Sequence, residues 1–114
     1  MQKKSLSRVL AQLDKPWDRL DLGILDSTHR VTVVWHKGTY SPHRHDRDEF
    51  YLVLEGEIRI KTRTRSIRLR KGESFLMKKG RPHQSYSGKG AYVLQIRARE
   101  TDTEEVRNFA GISV

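Results

Sequence analysis

The residues with the clearest chemical potential are His43 and His45, which are separated by one residue, and Glu49, which follows four positions later. Alternate side chains of a β-strand point to the same face, so both imidazole rings can reach one ion. Glu49 lies at an even offset from the two histidines and can face the same interior. Neutral imidazoles and a carboxylate are donors that suit divalent first-row transition metals. The spacing therefore predicts a metal site where a strand begins.

A third histidine, His83, follows the turn at residues 79–82 and stands at the start of a different predicted strand. One His-x-His pair is weak evidence for a metal, because histidine serves many purposes in proteins. Three histidines and one carboxylate, each beside the beginning of a strand, form a more specific set. We expect one divalent transition metal ion, and the ligand types do not distinguish Zn, Mn, Fe, Ni, Co and Cu. The alternative is a histidine-rich polar loop that binds no ion.

The elements that must position these side chains are short strands. From Trp17 onward, apolar and polar residues alternate with a period of two, which is typical of half-buried β-strands. Glycine-containing turns separate the runs. Many short strands with glycine in the turns predict an all-β sandwich or barrel. The alternating runs lie at residues 31–36, 51–54, 58–61, 67–70 and 92–97.

The two ends of the chain have helical patterns. Apolar residues recur at helical spacing between residues 5 and 13 and predict a short amphipathic helix that ends before Pro16 and packs on the domain or on a partner subunit. The stretch from Thr101 has a capping-box pattern and predicts a final helical turn. We divide the chain into an N-terminal helix and lead-in at 1–16, a barrel at 17–100, and a C-terminal tail of the same domain at 101–114.

The size and composition of the chain exclude several classes of protein. A length of 114 residues is typical of one domain and leaves no room for a separate cofactor-binding domain. The absence of cysteine excludes disulfides and thiolate ligands. No apolar run has the length of a transmembrane helix, and no apolar segment follows the basic N-terminus as in a secretory signal. We therefore expect a cytoplasmic protein with no membrane partner.

The chain is strongly basic, with a formal net charge of +9 and seven basic residues but no acidic one from Arg59 to Lys71. Because these charges alternate with apolar residues, we place them on the solvent face of a hairpin, where they also discourage edge-to-edge pairing. No aromatic side chains interleave with them to stack on bases, which disfavours a nucleic-acid partner. A basic barrel that binds nucleic acid is therefore the lowest-ranked alternative, behind a small anionic ligand.

The segment that carries the first two histidines also carries a family resemblance. Gly38-x4-His43-x-His45-x3-Glu49-x6-Gly56 closely resembles the first motif of the cupin superfamily, with one residue fewer between the glycine and the first histidine. Gly72-x5-Lys78-x-Gly80-x2-His83 resembles the second cupin motif, where the family has proline at the position of Lys78 and often asparagine at that of Ser87. None of these departures removes a candidate ligand.

The resemblance implies a small single-domain cupin, a double-stranded β-helix or jelly-roll barrel with a short N-terminal helix. It implies a metal ion held by His43, His45, Glu49 and His83. A weaker similarity, in Lys15-Pro16-Trp17 and in the tail at 104–107, is to the cupin domain of type II mannose-6-phosphate isomerases.

The function that these patterns favour is a metal-dependent enzyme that acts on a small, anionic or oxygen-rich molecule by Lewis-acid isomerase or dioxygenase chemistry. A cupin that binds a metal or small ligand without turnover is the alternative. Tyr51 and Ser85 share the strand faces of Glu49 and His83 and are the predicted substrate contacts. His29 and His36 are interpreted as surface or packed histidines.

The strand that follows Glu49 has a second apolar face, made by Phe50, Leu52 and Leu54, which needs a cover. The N-terminal helix or a second subunit can supply it. Because small cupins often dimerise through such surfaces, the resemblance favours a homodimer.

Overall fold

The protein is described by a computed structural model that covers residues 3–107 and residue 109. Over these residues a short helix precedes a series of antiparallel strands. No helix among them is long and apolar enough to span a membrane. The elements are α1 (Leu6–Ala11), β1 (Arg19–Leu25), β2 (His29–Thr39), β3 (His43–His45), β4 (Glu49–Lys61), β5 (Ser66–Arg70), β6 (Ser74–Met77), β7 (Gln84–Ala98) and β8 (Thr103–Glu105).

The strands form two sheets, and the predicted all-β fold is confirmed. The larger sheet has the order β1-β2-β7-β4-β5, with β6 also paired to β4, and the smaller sheet pairs β3 with β8. The long strands β4 and β7 are paired along most of their length, with register shifts between Val53 and Glu55 and between Gly56 and Arg59. Such bulges bend and twist a strand, which allows the sheet to curl around an interior.

The alternation read from the sequence determines which side chains enter that interior. Thr32 of β2 lies opposite Gln95 of β7, which lies opposite Tyr51 of β4. In the next row, Glu49 lies between Arg97 of β7 and Met77 of β6. Deeper in the barrel the inner face is apolar and buried. The core residues are Tyr51, Val53, Ile58, Ile60, Leu69, Met77, Ala91 and Val93.

Helix α1 covers part of the outer face of the same barrel. Val9 and Leu13 are buried against Val33 of β2, and Leu54 is among the partly buried residues around them. Complete burial of an aliphatic side chain of this size contributes about 1.5–3 kcal/mol. The helix thus packs on its own domain, one of the two predicted positions, and it supplies part of the cover that Leu54 needs.

The basic hairpin has the predicted orientation. Ile58 and Ile60 of β4 and Leu69 of β5 are buried, whereas Arg68 and Arg70 on β5 are exposed. Glu57 lies beside both of these arginines, with an oxygen 2.5 Å from Nε of Arg68 and 3.8 Å from Nε of Arg70. The run of positive charge is thus a solvated strand face, partly balanced by a neighbouring carboxylate.

The predicted helical turn in the C-terminal tail is wrong. Residues Thr103–Glu105 form strand β8 and pair with β3, with Thr103 opposite His45 and Glu105 opposite His43. The edge of β3 offers unpaired backbone groups, and pairing with them outweighs the local capping preference of the tail. The end of the tail, at residues 108 and 110–114, lies outside the described residues.

Candidate metal centre

Three histidines from two segments meet at one end of the barrel. His43 and His45 lie on β3, and His83 forms an isolated antiparallel bridge with His43, with backbone hydrogen bonds of 2.9 Å in both directions. One ring nitrogen from each of the three side chains lies within 4.8 Å of the other two. The ring centroids of His43 and His83 are 4.4 Å apart, and those of His43 and His45 are 4.7 Å apart. The bridge therefore joins the His-x-His pair to the distant third histidine.

Hydrogen bonds at Nδ1 leave the opposite ring nitrogen of His43 and of His83 available. Nδ1 of His43 donates to the carbonyl of Ser41 over 2.8 Å, and Nδ1 of His83 donates to the carbonyl of Arg81 over 2.9 Å. A carbonyl can only accept, so the proton is on Nδ1 and the lone pair is on Nε2. Nδ1 of His45 lies 2.8 Å from Oγ1 of Thr103. This arrangement orients histidines that bind metals.

Glu49 is buried beside the histidines and has partners at both oxygens. Oε1 lies 3.3 Å from Nε2 of His45 and accepts a hydrogen bond from the hydroxyl of Tyr51 over 2.5 Å. Oε2 accepts a hydrogen bond from Nε2 of Gln95 over 3.1 Å. Burial alone would raise the pKa of Glu49, but the contacts with His45 and Tyr51 outweigh it and lower the pKa to about 2. Glu49 is therefore ionised at neutral pH.

The protonation states of the histidines fit the same use. Burial lowers the pKa of His83 to about 4, and burial also lowers the pKa of His43. Both rings are therefore neutral near pH 7, which is the form that binds metal ions. Three imidazole nitrogens and an ionised carboxylate are a donor set that fits a divalent transition metal. The structure thus brings together His43, His45 and His83 with Glu49 next to them. Ligation by Glu49 stays a prediction.

A cavity of about 240 Å³ extends from the histidines into the barrel. The predicted substrate contacts Tyr51 and Ser85 are both on its wall, and their contact with a substrate stays a prediction. The aromatic ring of Trp17 lies 4.7 Å from that of His36 and 4.9 Å from that of Tyr40, so one wall is an aromatic cluster. The other lining residues are Arg19, Thr32, Val34, His43, His45, Glu49, Gln95, Arg97 and Thr103.

His36 belongs to this wall, although the sequence analysis gave it only a surface or packing role. Its side chain is 3% exposed, and its Nε2 lies 2.6 Å from Oε1 of Gln95. Gln95 in turn donates to Glu49, so His36 is connected to the carboxylate through one amide. Its position two residues beyond Val34, on the inner face of β2, was the signal that could have placed it in the cavity. The contact between Thr103 and His45 could not be expected from the sequence in this way, because the strand β8 was not predicted.

Comparisons with known proteins agree with this architecture. Residues 30–94, which contain all four predicted ligands, match the family model of the cupin domain. A search of curated protein sequences found no match.

Several solved structures share the fold. A cupin-2 domain-containing protein from Shewanella frigidimarina NCIMB 400 superposes with a TM-score of 0.80 and 23% identity, over 84% of this chain and 94% of that one. The hydroquinone 1,2-dioxygenase from Sphingomonas sp. TTNP3, solved with 4-hydroxybenzoate bound, superposes with a TM-score of 0.70 and 16% identity, over 87% of this chain and 79% of that one. The polyketide cyclase RemF from Streptomyces resistomycificus superposes with a TM-score of 0.67 and 18% identity, over 81% of this chain and 73% of that one. At these identities the similarity establishes the fold alone.

Proposed function

The chain belongs to the cupin domain family, and on that premise we propose that it is a metal-dependent enzyme that acts on a small, oxygen-rich molecule inside the barrel. The observation that carries this proposal is the convergence of one ring nitrogen from each of three histidines beside a cavity whose wall includes His43 and His45. Residues needed only for folding would not require three histidines to meet at one place, with the Nδ1 protons of His43 and His83 already held by backbone carbonyls.

The residues of the chain have distinct roles in this proposal. His43, His45 and His83 would hold the ion together with Glu49, while Tyr51 and Gln95 keep the carboxylate of Glu49 in a fixed orientation. A bound divalent metal would supply Lewis-acid or redox chemistry beside the cavity. The aromatic wall of Trp17 and Tyr40 would shield the substrate from water, which strengthens the polar contacts inside.

Two reaction classes remain candidates. Oxygenation is supported by the structural similarity to a hydroquinone dioxygenase, whose bound 4-hydroxybenzoate is a small oxygen-rich molecule. A redox-neutral rearrangement is supported by the structural similarity to a polyketide cyclase. The identity of the metal separates them, since iron favours dioxygen chemistry and zinc favours Lewis-acid chemistry.

The test is the metal content of protein purified without a histidine tag, measured by elemental analysis. We expect about one equivalent of a transition metal per chain, and His45→Ala should lower metal affinity by more than the roughly 10- to 100-fold effect of losing a neighbouring partner. His29→Ala is the matched control, because His29 is exposed and outside the cluster. Full metal content in the His45→Ala protein, or none in the native protein under metal-replete growth, would rule out the site.

A second candidate function is metal or ligand binding without turnover. Among the described residues, Glu49 is the only carboxylate that lines the cavity, and both of its oxygens already accept hydrogen bonds. No free carboxylate is therefore positioned there as a general base. Tight binding of a small molecule with no conversion of it by the metal-loaded protein would favour this second function.

A further inference from the structure

Two arginines line the cavity that contains the histidine cluster. Arg97 is half-buried on β7. Arg19 is exposed on β1, and strand β2 lies between β1 and β7 in the sheet. Among the residues that the structure describes, no carboxylate oxygen lies within 4.0 Å of a guanidinium nitrogen of either arginine. Both guanidinium groups are therefore available to a ligand.

The isolation of Arg97 is notable because Arg97 lies directly across from Glu49 in the register of β4 and β7. Opposite charges in directly facing positions of an antiparallel pair are close enough to interact. Here the carboxylate of Glu49 is instead engaged by Tyr51 at Oε1 and by Gln95 at Oε2. The positive charge of Arg97 is thus left beside the cavity with no ion pair to Glu49.

The neighbouring arginine on the same row shows the contrasting arrangement. Arg30 lies opposite Arg97 in the register of β2 and β7, and its guanidinium forms an ion pair of 2.5 Å with Asp21. Asp21 also accepts a hydrogen bond from Thr32 over 2.7 Å. Arg30 thus has a carboxylate partner, whereas no carboxylate of the described residues pairs with Arg97.

The charge of the cavity wall favours an anion. Its two arginines and one ionised glutamate carry a net charge of +1, which a bound divalent ion would raise to +3. Clefts with one sign of charge and walls of low dielectric concentrate ligands of the opposite charge.

We propose that Arg97, assisted by Arg19, binds the anionic group of a small organic acid whose other oxygen atoms reach the histidine cluster. A guanidinium can hold a carboxylate or a phosphate group with two parallel hydrogen bonds. A cavity of about 240 Å³ is smaller than the sites of drug-sized molecules, which begin near roughly 300 Å³. A short acid therefore fits the cavity. The contact of the ligand with the histidine cluster rests on the proposed function, whereas anion binding by Arg97 and Arg19 does not.

The experiment is calorimetric titration of the purified protein with malonate, inorganic phosphate and the uncharged dimethyl malonate. We expect both anions to bind and the diester not to bind, and the tighter anion identifies the group as carboxylate or phosphate. Arg97→Gln should weaken anion binding about tenfold or more, the scale of losing a charge-assisted contact, and Arg19→Gln should weaken it less. The control, Arg63→Gln, removes the same charge from an exposed turn and should have less than a twofold effect.

Further variants separate this proposal from the metal proposal and from misfolding. Arg97→Lys keeps the charge and loses the paired geometry, so it should bind more weakly than the native protein and more tightly than Arg97→Gln. His45→Ala should lose metal but keep arginine-dependent anion binding. Equal anion affinities of the Arg97→Gln, Arg63→Gln and native proteins, or equal binding of malonate and its diester, would overturn the proposal.

Discussion

The hydroxyl of Tyr51 donates a hydrogen bond to Oε1 of Glu49 over 2.5 Å. The same hydroxyl lies 3.4 Å from Nε2 of His83, so it stands between the carboxylate and the third histidine. Burial, followed by the charge of Glu49, raises the pKa of Tyr51 well above its usual value, and the phenol therefore stays protonated. Tyr51 thus orients a candidate ligand in addition to lining the cavity.

Replacing Tyr51 by phenylalanine should weaken metal binding while the barrel stays folded. The change keeps the ring that packs in the core and removes the donor to Glu49, and loss of such a supporting contact typically costs about 10- to 100-fold in metal affinity. Competition with a chromophoric chelator measures the affinity. Tyr86→Phe is the control, because Tyr86 lies in a separate groove beside Gly88. Equal metal affinities of the Tyr51→Phe and Tyr86→Phe proteins would exclude this role.

The contact between β8 and β3 should matter for the metal as well. Thr103→Val keeps the shape of the side chain but removes the oxygen that lies 2.8 Å from Nδ1 of His45. His45 then loses the partner that orients its ring, and we expect about tenfold weaker metal binding. Thr64→Val, in an exposed turn, is the matched control. The same chelator competition applies, and an unchanged affinity would show that β8 does not support the site.

The pair of His36 and Gln95 predicts an asymmetry in stability. Gln95→Leu leaves Nε2 of a buried His36 without its partner, which should lower the free energy of unfolding by about 1–3 kcal/mol. The double variant His36→Leu, Gln95→Leu also removes the unpaired imidazole, so the part of the loss that comes from His36 should be recovered, while Oε2 of Glu49 still lacks its donor. Denaturant unfolding measures both values. A double variant less stable than Gln95→Leu alone would contradict this interpretation of the contact.

The homodimer stays a prediction, and we expect it to form on the exposed part of the outer face. Helix α1 covers the Leu54 end of the outer face, whereas Leu76, which lies opposite Phe50, is 48% exposed. We expect light scattering to give twice the chain mass of 13.3 kDa and Leu76→Glu to give the monomer mass. A native protein that remains at 13.3 kDa at micromolar concentration would reject the dimer.

Much of the site could be predicted from the sequence because it depends on local rules. The period of two on a strand is sufficient to place His43 and His45 on one face and to turn Tyr51 and Glu49 inward. The same rule sorts Ile58 and Ile60 into the core and the charges of the basic hairpin into solvent. The helix at Leu6–Ala11 follows in the same way from the spacing of its apolar residues.

The parts of the site that the sequence analysis missed depend on which distant segments of the chain pair with each other. The capping-box pattern of the tail is local and predicted a turn, but the open edge of β3 draws Thr103–Glu105 into a strand and brings Thr103 to His45. The placement of His36 in the cavity likewise needed the register that sets it near Gln95.

The sequence by itself determined the donor types, the faces of the strands and the family motifs, because these depend on residues close together in the chain. Only the tertiary structure decided that His83 stands opposite His43 and that Arg97 lies across from Glu49 without an ion pair. The physical reason is that strand register between distant segments is set by the packing of the whole barrel, and a shift of one residue would turn each of these side chains to the opposite face.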